Sequence, residues 1–294
     1  MEQRSKTTME VEDVAQTLSV AKASYSEISD LAEQARAIFQ SRGVRLHRDS
    51  SLGKILRAAN DLSTSWDQGK RVGTIHEILA AAQANRVSRA VIAAAGETNA
   101  LESLRRIAGN SMDLMGRMQS QGKDHLWELE LRDILRRRGV VAELIDPPDI
   151  VATVSGLSVP IACKKIYSEK GVEAQVRKGV KQVEAHGIGG LVALNIDDLL
   201  PGDSILKERT HIAASASLGA FVRQFIERHR FTLQRYVAEG RCDGMLISAA
   251  CICDLDEGAP RFSTVTDTTL WSLQSLAPDA LDRFAALRRV LQRA

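Results

Sequence analysis

The stretch PPDIVATVSGLSVPIACKK, residues 147–165, restricts the fold more than any other part of the chain. Two β-branched runs flank a Ser-Gly pair, which is the pattern of an antiparallel hairpin. Side chains alternate along a strand, so positions 162 and 164 share a face. With Ser155 and Gly156 at the centre of the turn, Asp149 pairs with Ala162; with Gly156 and Leu157 there, it pairs with Lys164. Either register gathers Asp149, position 162 and Lys164 on one side. Taken singly, an acid after two prolines is a turn residue and paired lysines are solvated strand ends. Taken together, a carboxylate and an ammonium on one hairpin face are candidates for work on a phosphodiester.

The hairpin sits where the character of the chain changes. Residues 1–120 contain no proline and few strand formers. VEDVAQTLSVAKASYSEISDLAEQARAIF has apolar residues at helical spacing. SLGKILRAANDLSTSW and TIHEILAAAQAN read as further helices, and residues 87–121 as one long helix or two joined near Gly109-Asn110. From Gly139 short β-branched runs appear: VVAELI, the two hairpin strands, GGLVALNI, GMLISAACICDL and RFSTVTDTTLW. GVEAQVRKGVKQVEAHG, the segment around FVRQFIERHRF, and the tail DALDRFAALRRVLQRA are helical between and after them. The expected class is α/β: an all-α region over 1–120, then a mixed-sheet core flanked by helices over 121–294. The long apolar stripes of the first region need a partner surface, so self-association is expected there.

Composition narrows the partners. The net charge is only +2, so any nucleic-acid surface must be local. Such clusters exist: Arg132, Arg136, Arg137 and Arg138 on the helix before the hairpin, Lys165 at its end, and Arg177, Lys178 and Lys181 on the next helix. Aromatic residues make up 4%, which favours duplex over base-stacked single strands. The four cysteines have no zinc spacing and read as small buried hydrophobes. No apolar run approaches membrane-spanning length, and the polar, acidic start is unlike a signal peptide, so a cytoplasmic location is expected. GIGG at 187–190 lacks the lysine of a phosphate-binding loop, and no G-x-S-x-G occurs.

From about residue 122 to 200 the order helix, strand, hairpin, helix, strand resembles the PD-(D/E)xK superfamily of nucleases, with Pro148-Asp149 and Lys164 in the motif positions. The resemblance implies a restriction-endonuclease-like core and Mg²⁺- or Mn²⁺-dependent cleavage of DNA, with a homodimer or higher oligomer natural for duplex cutting. It assigns Asp149 to catalysis and metal binding, Lys164 to catalysis, and the Cys163 backbone carbonyl to the metal. It also implies a glutamate from the preceding helix: Glu128, after Trp127 in HLWELELRDILRRRG, with Glu130 as the alternative. A glutamine on the following helix is matched by Gln182, with Gln175 as the alternative. The departure is Ala162, where the family carries Asp or Glu. Three accounts are open: an acid replaced to silence the enzyme, a carboxylate supplied instead by Glu128 or Glu130, or a fold that binds DNA or a partner protein without cutting. A role in defence against foreign DNA follows only by analogy with other nucleases of this kind.

Overall fold

The computed structural model describes residues 12–70, 74–201, 205–258 and 262–292. Eight strands and eight α-helices alternate through these residues. The chain opens with β1 (Glu12–Ala21), followed by α1 (Tyr25–Ser41), α2 (Ser51–Asp67), α3 (Ile75–Ala93) and α4 (Leu101–Gly109). Then come α5 (Gln121–Arg137), β2 (Val141–Ile145), β3 (Asp149–Val154), β4 (Leu157–Lys165), α6 (Val172–Ala185) and β5 (Leu191–Asn195). The remainder is β6 (Leu206–Glu208), α7 (His211–Ala238), β7 (Gly244–Leu255), β8 (Phe262–Leu273) and α8 (Pro278–Leu291).

All strands join one mixed sheet in the order β1-β8-β7-β5-β4-β3-β2, with β6 beside the far end of β7. The hairpin and its neighbours pair antiparallel, β4, β5 and β7 run parallel, and β8 and β1 turn antiparallel again. Alternation along the strands feeds two cores. Ile161, Cys163, Leu191, Ala193 and Leu246 join the core beneath α1 to α5 and α8. Ala162, Val192, Leu194, Met245 and Ile247 join the core beneath α6 and α7. The result is a sheet sandwiched between two helical layers.

Local chemistry explains the element ends. Ser24 and Glu27 form a capping box at the start of α1, and the hydroxyls of Ser50, Ser120 and Thr210 cap α2, α5 and α7. The hairpin turn is centred on Ser155 (φ 52°) and Gly156 (φ 80°), a two-residue turn with both φ positive. The register is therefore the first of the two expected ones: Asp149 faces Ala162.

Two expectations need correction. Residues 12–21 are not helical; they form β1 and pair along their whole length with β8. The inward residues of β1 include Ala15 and Thr17, while Val14 is 46% exposed, so the strand's own hydrophobic pattern does not declare it. The expected long helix over 87–121 is broken: α3 stops at Ala93, α4 spans Leu101–Gly109, and residues 110–120 lie outside any helix. Most of the apolar faces of α1 to α4 are covered within the chain, in the same core as α5 and the sheet, while Trp66 of α2 and Ile75 of α3 stay exposed. The surface argument for self-association through these helices is reduced to those residues. No helix among the described residues is long and apolar enough to cross a membrane.

Candidate functional site

The hairpin ends on a polar cluster built from four elements. Asp149 opens β3 with φ 125°, a conformation an L residue rarely adopts, directly across from Ala162. Its Oδ2 accepts from the Cys163 backbone N–H at 2.7 Å and from Lys164 Nζ at 3.1 Å. Lys164 Nζ also donates to the Cys163 carbonyl at 2.7 Å. On α6, Gln182 Nε2 donates to Asp149 Oδ1 at 3.3 Å, while Gln182 Oε1 is buried with no partner. Gly179 lets α6 come this close: a Cβ there would lie 2.6 Å from Val192 Cγ1 and 3.4 Å from Lys164 Cγ.

Helix α5 delivers the fourth component. Trp127 is buried and its indole N–H donates to the Ala193 carbonyl at 3.2 Å, which fixes the rotation of the helix on β5. Glu128 then lines a cleft of about 490 Å³ together with Lys164, Gln175, Lys178, Lys181 and Gln182. Residues two apart on a helix point in nearly opposite directions, and Glu130 accordingly leaves the site. It accepts from Arg86 Nη2 at 2.8 Å and from Arg86 Nε, in a buried junction with α3. Glu128, not Glu130, is the acid of the cleft. His125 Nδ1 lies 2.9 Å from Glu128 Oε2 and 3.2 Å from Ser103 Oγ. This histidine was missed in the sequence, although its spacing of three residues from Glu128 signals a shared helix face.

The electrostatics follow from burial. Desolvation pushes the Asp149 carboxyl up to about 6; Lys164 opposes the shift and the Glu128 charge adds to it. For His125, desolvation opposes the charged form, but the hydrogen bond and the charge of Glu128 outweigh it, and the net shift is upward. Asp124, also on the cleft wall, is raised by burial although Tyr167 donates to it at 2.8 Å.

The basic residues divide sharply. Lys178 and Lys181 are exposed on the cleft rim, and Arg177 is exposed on the same helix away from it. Lys165 is not available to a phosphate, contrary to expectation: its side chain is 4% exposed and pairs with Asp198 at 2.6 Å and Asn195 at 2.5 Å. Next to it, buried Lys123 holds the other Asp198 oxygen at 2.7 Å. The arginines of α5 and its C-cap divide too: Arg132 is buried, while Arg136 and Arg137 stay exposed within surface ion pairs. Arg132 is buried against the Ala142 and Ala93 carbonyls, Arg136 pairs with Glu97, Arg137 pairs with Asp133, and Arg138 donates to the Leu291 carbonyl. Arg132 and Arg138 thus tie α5 to neighbouring elements, with their stems packed and their heads on backbone carbonyls.

The expected divalent ion does not fit the residues as they stand. Ala162 brings no oxygen, Asp149 Oδ2 and the Cys163 carbonyl both face Lys164 Nζ, and Glu128 is engaged by His125. Among the described residues no three His, Cys, Asp or Glu side chains are gathered where a cation could be held. On its α6 side the cleft offers donors to an anion, with Lys178 and Lys181 exposed beside Lys164, while Glu128 and Asp124 line the α5 side. No family model, no curated protein and no solved structure matches the chain.

Proposed function

We propose that the cleft between α5 and α6 binds the phosphodiester backbone of duplex DNA, on a nuclease-type scaffold that in this sequence does not cut. The observation that carries the reading is the Asp149–Lys164 pair, 3.1 Å apart at the mouth of a cleft rimmed by Lys178 and Lys181, with alanine at position 162. The succession α5, β2, β3–β4, α6, β5 supports the scaffold part of the reading, since it is the order that the nuclease resemblance implies. Lysine ammonium groups recognise phosphate as point charges without reading bases, so the binding should be salt-dependent and indifferent to sequence.

A second reading is a metal-dependent endonuclease, using Mg²⁺ or Mn²⁺ and serving in defence against foreign DNA. It is favoured by the gathering of Glu128 and Lys164 in one cleft with Asp149 at its edge. One experiment separates the two. Duplex DNA is incubated with the wild-type chain and with Ala162→Glu, each with Mg²⁺, with Mn²⁺ and with EDTA, while affinity is followed by fluorescence anisotropy. The binding reading expects wild-type affinity that falls with salt, no wild-type cleavage, and metal-dependent nicking only by Ala162→Glu. Wild-type cleavage that EDTA stops would establish the enzyme instead. Absence of DNA binding at low salt would remove both readings.

A further inference from the structure

Lys164 Nζ stands 2.7 Å from the Cys163 carbonyl oxygen and 3.1 Å from Asp149 Oδ2. These are the two oxygens from β3 and β4 that a divalent ion would have used. A carboxylate and a carbonyl converging on one point form a hard-cation site. Here the point is taken by an ammonium on the chain itself. We propose that Lys164 is a built-in cation, and that the site takes its anionic ligand without a divalent metal.

Charge balance argues for this arrangement. One carboxylate and one ammonium sum to zero, and the pair is largely enclosed: the Asp149 side chain is 9% exposed and that of Lys164 15%. Adding a divalent ion would bring two further positive charges into that enclosure, which Glu128, shared with His125, offsets only in part. An acid at position 162, directly across from Asp149, would offset them; alanine cannot. Packing argues the same way. The Lys164 stem passes under Gly179 of α6, which limits where its head can go. An ammonium has three donors. Two are committed to Asp149 and Cys163, which leaves the third for a phosphate oxygen beside the exposed Lys178 and Lys181.

The inference rests on the DNA-backbone reading for its ligand, but its test does not need DNA. Free Mn²⁺ is titrated with the full-length protein at pH 8 and followed by electron paramagnetic resonance. Wild-type protein and Lys164→Arg, which both keep a cation, should take up no Mn²⁺ at concentrations around 1 mM, the weak end of protein cation sites. Lys164→Ala and Lys164→Gln should gain a site in that range, and adding Asp149→Asn should abolish the gain. Circular dichroism selects the neutral variants that fold, and Lys164→Gln keeps more of the stem packing if Lys164→Ala does not. Mn²⁺ uptake by the wild type that Asp149→Asn removes overturns the proposal. So does a folded neutral variant that gains nothing. A parallel arm compares wild-type DNA affinity with and without EDTA: a change under twofold is expected, and a tenfold loss in EDTA overturns the proposal. If the wild type binds no DNA at all, the DNA reading fails while the Mn²⁺ titrations still decide whether Lys164 replaces the metal.

Discussion

Asp149 holds a positive φ because β2 on one side and β4 on the other both pair with it, and a carboxylate aimed at the Cys163 N–H is the return on that strain. The same enclosure raises its ionisation to about 6 from 3.8, burial being the largest cause. A carboxyl raised in the folded state gives stability that is complete below about pH 4 and is lost as pH rises towards 6. The difference in unfolding free energy between wild type and Asp149→Asn should therefore change by on the order of 3 kcal/mol across that window and level off above pH 7. Urea unfolding at a series of pH values reads this directly, and a difference that is flat from pH 4 to 7 would contradict it. Lys165 and Lys178, one buried and one exposed, test the division of the basic residues. Lys165→Met removes one of the two buried ammonium partners of Asp198, leaving Lys123, and should cost about 3 kcal/mol. Lys178→Ala should leave stability within about 0.5 kcal/mol while lowering the salt slope of DNA binding by about 1. Denaturation and salt-titrated anisotropy on both variants decide it; a stable Lys165→Met would contradict the structural role.

At the scale of elements, the site depends on how closely α6 lies on β4 and β5. Gly179 is the contact that sets this distance, because any Cβ there meets Val192. Gly179→Ala should cost about 1–3 kcal/mol by overpacking and should widen the cleft, weakening DNA binding more than Lys178→Ala does. A variant with unchanged stability and affinity would show that α6 has slack. On the other face, a chain of buried charges ties the layers together. Glu130 of α5 holds Arg86 of α3, Arg86 reaches Asp197 at 2.6 Å, and Asp198 holds both Lys165 of β4 and Lys123 of α5. Asp197 is held below the usual carboxylate range although burial opposes its charge, because Arg86, Lys165 and the Ala250 N–H all favour it. The first helices are thus anchored to the strand that carries Lys164.

For the whole molecule, the first and last described elements, β1 and α8, meet beside β8. β1 lies along β8, Thr17 Oγ1 donates to the Leu291 carbonyl, and Arg288 binds Asp13 at 2.5 Å and 2.6 Å. The inner face of the hairpin and α5 is covered by α1 to α4. A fragment of residues 121–294 should therefore lose its cooperative thermal transition, since it would expose that apolar face and leave β8 without its outer partner. Circular dichroism melts and size-exclusion chromatography test this; a monomeric fragment with a sharp transition would show that residues 121–294 fold independently.

What the sequence determined by itself was local and periodic. The capped helices, the β-branched runs and the Ser-Gly turn are set by short-range chemistry, and so is the sharing of one hairpin face by Asp149, Ala162 and Lys164, because side-chain alternation holds in any register. Tertiary structure decided what depends on neighbours distant in sequence. β1 is a strand because β8 pairs with it, not because its own residues alternate cleanly. Lys165 and Lys164 are adjacent in sequence but point to opposite faces, so one is buried among Asp198 and Asn195 while the other faces the cleft. From sequence, Glu128 is the preferred acid and Glu130 the alternative; the rotation of α5, held by Trp127, decides between them. Burial and ion pairing are properties of the surroundings, and a single chain read in order does not state what those surroundings are.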